Sequence, residues 1–194
     1  MSRMLRPDVA GSLRGLALYH GSRVNVLAWQ DLATSVRTGE PAFRRVNGRS
    51  FFEHLADTPE ESSAFDAAMH GVSSTEIPAL LASYDFSGFD TIVDVGGGDG
   101  TLLTAILDRE ARPRGVIYDL DHALDSARRR LAGAALAKRI ELVAGSFFDS
   151  VAKGGDVYLL KHVVHDWSDQ DSARILRNCR AAMSARGRLL LNLA

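Results

Sequence analysis

From Phe89 onward, short unbroken apolar runs alternate with stretches of helical periodicity, and this constrains the fold more than any other feature of the chain. Residues 91–95, 115–119, 140–144, 157–160 and 188–191 each read as a buried strand. Between them, apolar side chains recur at helical spacing: Leu102, Leu103, Ile106 and Leu107; then Leu124, Ala127 and Leu131; then Ile175, Leu176, Cys179 and Met183. Strands apolar along their whole length need cover on both faces. The alternation therefore predicts an α/β fold with a parallel sheet between two helical layers. Ser168 and Asp171 have the spacing of a capping box opening the last helix.

Residues 1–88 contain no convincing strand. Helix-like pieces fall at 23–36, 60–70 and 74–84, broken by Gly39-Glu40-Pro41 and Asn47-Gly48, with Pro59 just ahead of a helix start. The chain thus divides into a helical segment, 1–88, and an α/β segment, 89–194. At 194 residues it holds one sizeable core and not two. The net charge of −1 gives no reason to expect nucleic acid or an anionic membrane as partner. The 20 arginines are scattered, and the run Arg128–Arg130 reads as a solvated helix face. No apolar run is long enough for a membrane span, and the first eleven residues lack the apolar core of a secretory signal. The single cysteine, Cys179, excludes an internal disulfide and a multi-cysteine zinc site. These readings predict a cytoplasmic protein.

In open parallel sheets ligands bind beyond the carboxyl ends of the strands. After the first strand comes Asp94-Val95-Gly96-Gly97-Gly98-Asp99-Gly100, a G-x-G-x-G loop in which ligand can approach bare backbone. Asp94 and Asp99 stand where a dinucleotide's pyrophosphate would lie; they repel phosphate and suit a cationic ligand. The second strand ends in Asp119, placed to accept hydrogen bonds from ribose hydroxyls, with a solvated Asp or a helix cap as the competing reading. After the third strand, Ser146 and Phe147 can meet the edge and face of an adenine, with Phe148 in the core. After the fourth come Lys161, His162 and His165. Zinc is rejected for the two histidines, since no Glu follows the first and no third ligand is evident; no metal is expected. His165 reads as a general base, His162 as a hydrogen-bonded structural histidine and Trp167 as packing.

Together these residues resemble the S-adenosylmethionine-dependent small-molecule O-methyltransferases of the plant caffeate and bacterial aromatic-polyketide type. The glycine loop resembles their cofactor loop. His165-Asp166-Trp167-Ser168-Asp169, followed by Ile175-Leu176-Arg177-Asn178-Cys179, resembles their most distinctive segment. Upstream, residues 35–43 and 65–69 are similar to the actinomycete branch, so the likeness covers nearly the whole chain. The resemblance implies S-adenosylmethionine as cofactor, bound by Gly96, Asp119, Ser146, Phe147 and Lys161. Ser146 stands where the family usually has Asp. It implies His165 as catalytic base, Met69 and Trp29 lining an acceptor pocket, and a small aromatic acceptor carrying a hydroxyl.

The same resemblance implies a Rossmann-like sheet with five of the usual seven strands, preceded by an α-helical segment. Most of the family's N-terminal dimerisation domain and its last two strands have no counterpart here. Asn192-Leu193 replaces the usual apolar–Glu pair, and the chain reads as truncated at both ends. The family's homodimer is accordingly set against a non-catalytic remnant that binds cofactor weakly or pairs through an open edge strand. A third reading, an NAD-dependent oxidoreductase, rests on fold and Asp119 alone.

Overall fold

The computed structural model describes residues 2–6, 8, 9 and 12–192. Met1, Pro7, Ala10 and Gly11, within the stretch scanned for a signal, lie outside the described residues, as do Leu193 and Ala194. The chain forms two compact units, Met1–Thr75 and Glu76–Ala194.

The first unit is helical. It contains α1 (Arg14–His20), α2 (Arg23–Gln30), α3 (Leu32–Thr38), α4 (Ala42–Asn47), α5 (Phe51–Asp57) and the first part of α6 (Pro59–Ser83). The expected helix over 23–36 is two helices meeting at Asp31. The expected pieces at 60–70 and 74–84 are, conversely, one helix of 25 residues that carries Pro78 inside it. Proline is tolerated well at the first helical position, which Pro59 occupies. Rings of Tyr19, Phe43, Phe51, Phe52 and Phe65 meet edge to face at centroid distances of 5.2–6.3 Å and form this unit's aromatic centre. A full capping box opens α5: Ser50 Oγ accepts from the Glu53 amide while Glu53 accepts from the Ser50 amide.

The second unit holds the end of α6, then β1 (Thr91–Val95), α7 (Thr101–Arg109), β2 (Arg114–Asp119), α8 (Leu124–Leu131), β3 (Ile140–Ala144), β4 (Val157–Lys161), α9 (Asp169–Ala182) and β5 (Arg188–Asn192). All five expected strands form, and their order is β3-β2-β1-β4-β5 with every pair parallel. One core layer joins Ile92, Leu103, Ile106, Ile117, Leu124, Val157 and Leu159 with Ile77 of α6. The other joins Val93, Val95, Tyr118, Tyr158, Leu160, Ile175 and Cys179. The unbroken apolar strands thus receive cover on both faces. Ser168 caps α9 by accepting from the Asp171 amide, but its own hydroxyl bonds the Asp171 carboxylate, so the reciprocal half of the expected box is not made.

Strand order reverses at β1: the chain steps to β2 on one side and later to β4 on the other. A crevice opens at such a switch point, beyond the carboxyl ends of β1 and β4. The glycine loop follows β1, Lys161 ends β4 and His162 to His165 come after it, so the topology brings both segments to that crevice.

Candidate functional site

The glycine loop is held open by its own backbone. The Gly96 amide donates to the Tyr118 carbonyl, 2.8 Å away, tying the start of the loop to β2. Gly96 has φ +71°, and a Cβ there would stand 2.7 Å from Val163 Cγ2; only glycine fits both restraints. Gly98 has φ +53° with no atom within 4 Å of where its Cβ would be, so the loop turns with open space beside it.

Asp119 closes the loop from the other side. Its Oδ2 accepts the Gly98 amide at 2.9 Å and its Oδ1 accepts the Leu120 amide at 2.7 Å. Two such bonds from backbone amides fix the orientation of the carboxylate. The ribose-type acid and the glycine loop are therefore one hydrogen-bonded unit. Asp99 serves α7 instead. It accepts from the Thr101 amide at 3.0 Å and from the Thr101 hydroxyl, and Arg130 lies 3.5 Å away.

Asp94 is different. It is 2% exposed. Burial first, then the neighbouring Asp119 and Asp99 charges, push its carboxyl up to about 7, with Lys161 opposing.

Beyond β3, Ser146 Oγ accepts the Phe148 amide at 3.3 Å and shapes the turn. Phe147 is half-buried and meets Phe148 and Trp167 edge to face, at 4.9 and 5.8 Å. Asn178 of α9 donates to the Phe147 and Phe148 carbonyls, both at 2.9 Å, and so holds this turn to α9. Trp167 packs as expected.

Beyond β4 the backbone makes an unusual turn. His162 has φ +55°, the one non-glycine positive value among the described residues. Such a conformation costs about 1–3 kcal/mol and needs support from its surroundings. The support is visible: the His162 amide donates to the Asn192 carbonyl at 3.0 Å, and its Nε2 lies 2.8 Å from Glu76 Oε2. The same oxygen of Glu76 is 2.9 Å from Lys161 Nζ. Burial works against ionisation of Glu76, but the bonds from Lys161 and His162 outweigh it and hold the carboxyl below its usual range. His165 follows on a short 3-10 turn, exposed, its ring 5.2 Å from that of His162 and its Nε2 3.7 Å from Asp166 Oδ1. Burial raises the Asp166 carboxyl, against the pull of His165 and His162.

Gly96, Asp119, Ser146, Phe147, Lys161 and His165 thus all stand at strand ends of the second unit. Trp29, 62% exposed, and Met69, half-buried, belong to the first unit and are not part of that arrangement as described. Glu76 is the residue that sequence reading missed. It sits in α6 outside any motif, and its partners lie more than 80 positions along the chain.

A family model described as an O-methyltransferase domain matches residues 29–193. A phenazine O-methyltransferase of Lysobacter antibioticus is 42% identical over 191 residues, covering 98% of this chain and 56% of that protein. A mitomycin biosynthesis 6-O-methyltransferase of Streptomyces lavendulae is also 42% identical, with 98% and 55% covered. Among solved structures, an O-methyltransferase from neocarzinostatin biosynthesis, in complex with S-adenosylmethionine and 2-hydroxy-5-methyl naphthoic acid, superposes with a TM-score of 0.89 at 36% identity, over 98% of this chain and 59% of that one. The chain spans little more than half the length of these relatives.

Proposed function

The chain belongs to the O-methyltransferase domain family, and we propose from that premise that it binds S-adenosylmethionine at the strand ends and takes part in methylating a hydroxyl of a small aromatic acceptor. The observation that carries this reading is the bond between Asp119 Oδ2 and the Gly98 amide, which builds a hydroxyl-accepting carboxylate into an open glycine loop at the topological switch point. The acidic lining favours a cationic ligand over a pyrophosphate, which weighs against the nicotinamide alternative.

The residues fit such a cofactor. Asp119 is a carboxylate of the kind that accepts from vicinal ribose hydroxyls. Phe147, braced by Phe148 and Trp167, offers a ring against an adenine, and Ser146 a hydroxyl at its edge. Gly96 and Gly98 leave backbone unshielded where the methionyl part would pass. When bound, the sulfonium supplies a methyl group that is already electrophilic.

The protein's task is then to hold the acceptor oxygen in line and to remove its proton. Alignment is the larger contribution, up to about 7–11 kcal/mol in well-oriented cases. A phenol loses its proton near pH 10, so a base within reach at neutral pH assists attack, typically by about 10²–10⁴-fold. His165 is the candidate base: it is exposed, beyond β4, and adjacent to the crevice. Lys161 and His162 are held behind it by Glu76.

Transfer of a labelled methyl group from S-adenosylmethionine to a panel of hydroxylated aromatics tests the reading. The proposal expects a methyl ether that forms only with the protein present. Cofactor binding without transfer to any acceptor, by this chain and by a longer protein containing it, would count against the catalytic part.

A further inference from the structure

Lys161 and His162 are consecutive, yet their side chains reach one and the same atom. Glu76 Oε2 lies 2.9 Å from Lys161 Nζ and 2.8 Å from His162 Nε2. Side chains that follow one another along a strand point to opposite faces. Lys161 is the last residue of β4, so an extended His162 would carry its ring to the other face, away from Glu76. The φ of +55° at His162 turns the ring back to the side of Lys161. Both bonds to Glu76 are therefore made together only while the chain is turned at 162, and Glu76 favours that turn over the extended alternative.

The turn determines what comes next. Val163 is 6% exposed, and its Cγ2 lies 2.7 Å from where a Cβ on Gly96 would stand, so the side chain fills the hollow that Gly96 leaves in the glycine loop. Two residues further on, His165 has its ring 5.2 Å from that of His162. The backbone supports the turn through the bond from the His162 amide to the Asn192 carbonyl, at 3.0 Å, and the His162 ring supports it through Glu76. The glycine loop has separate ties to β2, between Gly96 and Tyr118 and between Gly98 and Asp119. If the turn at 162 relaxed, the loop would keep these ties, while Val163 and His165 would lose their places.

We propose that Glu76 is a positioning residue for methyl transfer: by gathering Lys161 and His162 onto one oxygen, it holds the turn that seats Val163 against Gly96 and carries His165 to the crevice. This rests on the proposed function above, in which His165 is the base. Glu76 acts through His162 and does not itself meet the reacting atoms. Its loss is therefore expected to lower the turnover number by about tenfold or more, since a misplacement of about 1 Å can cost about 10²-fold. Affinity for S-adenosylhomocysteine is expected to change by no more than about threefold, because the glycine loop keeps its own ties to β2.

The test is a cycle of Glu76→Ala, His162→Gly and the double variant. Glycine takes a positive φ without the steric cost that histidine bears, so in His162→Gly the turn no longer needs the clamp. Glu76→Ala is expected to lose its tenfold in turnover in the parent and less than about threefold in the His162→Gly background. A role in overall stability alone gives equal losses in both backgrounds, and that result overturns the proposal. Hydrogen exchange of the chain without any ligand gives a second readout. In Glu76→Ala the His162 amide is expected to exchange at least about tenfold faster relative to the amides of β1 and β2; a uniform change across all three overturns the proposal. Should Glu76→Ala not fold, Glu76→Asp enters the same comparisons, since it keeps the charge and withdraws the oxygen by one methylene. Unchanged turnover in the Glu76 variants, with His165→Ala impaired, overturns the proposal and leaves the function standing. Unchanged turnover in His165→Ala, or no transfer by this chain or by a longer protein containing it, overturns the reading on which the proposal rests.

Discussion

Glu76 Oε2 lies 2.9 Å from Lys161 Nζ and 2.8 Å from His162 Nε2, so one carboxylate oxygen of α6 clamps two consecutive residues at the exit of β4. The Lys161 side chain is 8% exposed, and it sits at the step where the backbone passes into the left-handed conformation of His162. The clamp therefore connects a buried charge, a costly backbone turn and the segment bearing His165.

Replacing Glu76 by Gln is expected to lower stability by about 3 kcal/mol at pH 7, because a buried ammonium loses its counter-charge. The double variant Glu76→Leu with Lys161→Met is expected to lose less than either single variant, since no charge is then left unpaired. The folded carboxyl is held below its usual range, so this contribution is present above the ordinary Glu value and disappears as pH falls through the depressed one. Urea unfolding of Glu76→Gln, Glu76→Leu, Lys161→Met and the double variant at pH 7 and at pH 3 measures both effects.

Asp94 gives the opposite pH dependence. Its carboxyl titrates near 7 when folded, against an ordinary 3.8. The unfolded chain gives up this proton first, so stability is full below the ordinary value and declines as pH rises from about 4 to about 7. Asp94→Asn removes the decline. In the absence of ligand the variant is expected to be more stable than the parent at pH 8, by an amount on the order of a few kcal/mol, and to match it at pH 4. Paired unfolding curves at the two pH values check this.

The glycine loop offers a graded test. Gly96→Ala meets both a positive φ and Val163 at 2.7 Å, whereas Gly98→Ala meets only the positive φ. The first is expected to cost about 2–4 kcal/mol and the second about 1 kcal/mol. Unfolding free energies in the same denaturant compare them directly.

His165→Ala is expected to reduce the turnover number by about 10²–10⁴-fold and to leave S-adenosylhomocysteine affinity within about twofold. An unchanged turnover number would show that alignment alone carries the reaction and that His165 is not the base.

The sheet was legible in the sequence because its strands are unbroken apolar runs ended by Gly, Asp or Lys, and Val93, Leu159 and their neighbours leave no other arrangement that buries both faces. The strand ends that carry the candidate residues were legible for the same reason: topology places whatever follows β1, β2, β3 and β4. Helix ends were less so. The break expected between 70 and 74 does not occur: α6 runs through it and on past Pro78, where Ile77 is buried in the core and packing outweighs local preference. The capping box at Ser50–Glu53 went unread, and that at Ser168 is only half made. Glu76 had no signal, because an ion pair across more than 80 residues leaves no local pattern. The burial of Asp94 was equally invisible: sequence shows an acid near the loop, but only the structure shows that it is 2% exposed.

In the proposed function the strand ends of this chain form an S-adenosylmethionine site organised by Asp119. Its most direct test is calorimetric titration of the chain with S-adenosylhomocysteine, beside the Asp119→Ala variant and beside NAD. One binding site per chain is expected, at least tenfold weaker in the variant, with no comparable binding of NAD. Absence of binding by the parent chain, equal affinity in the variant, or preference for NAD would contradict it.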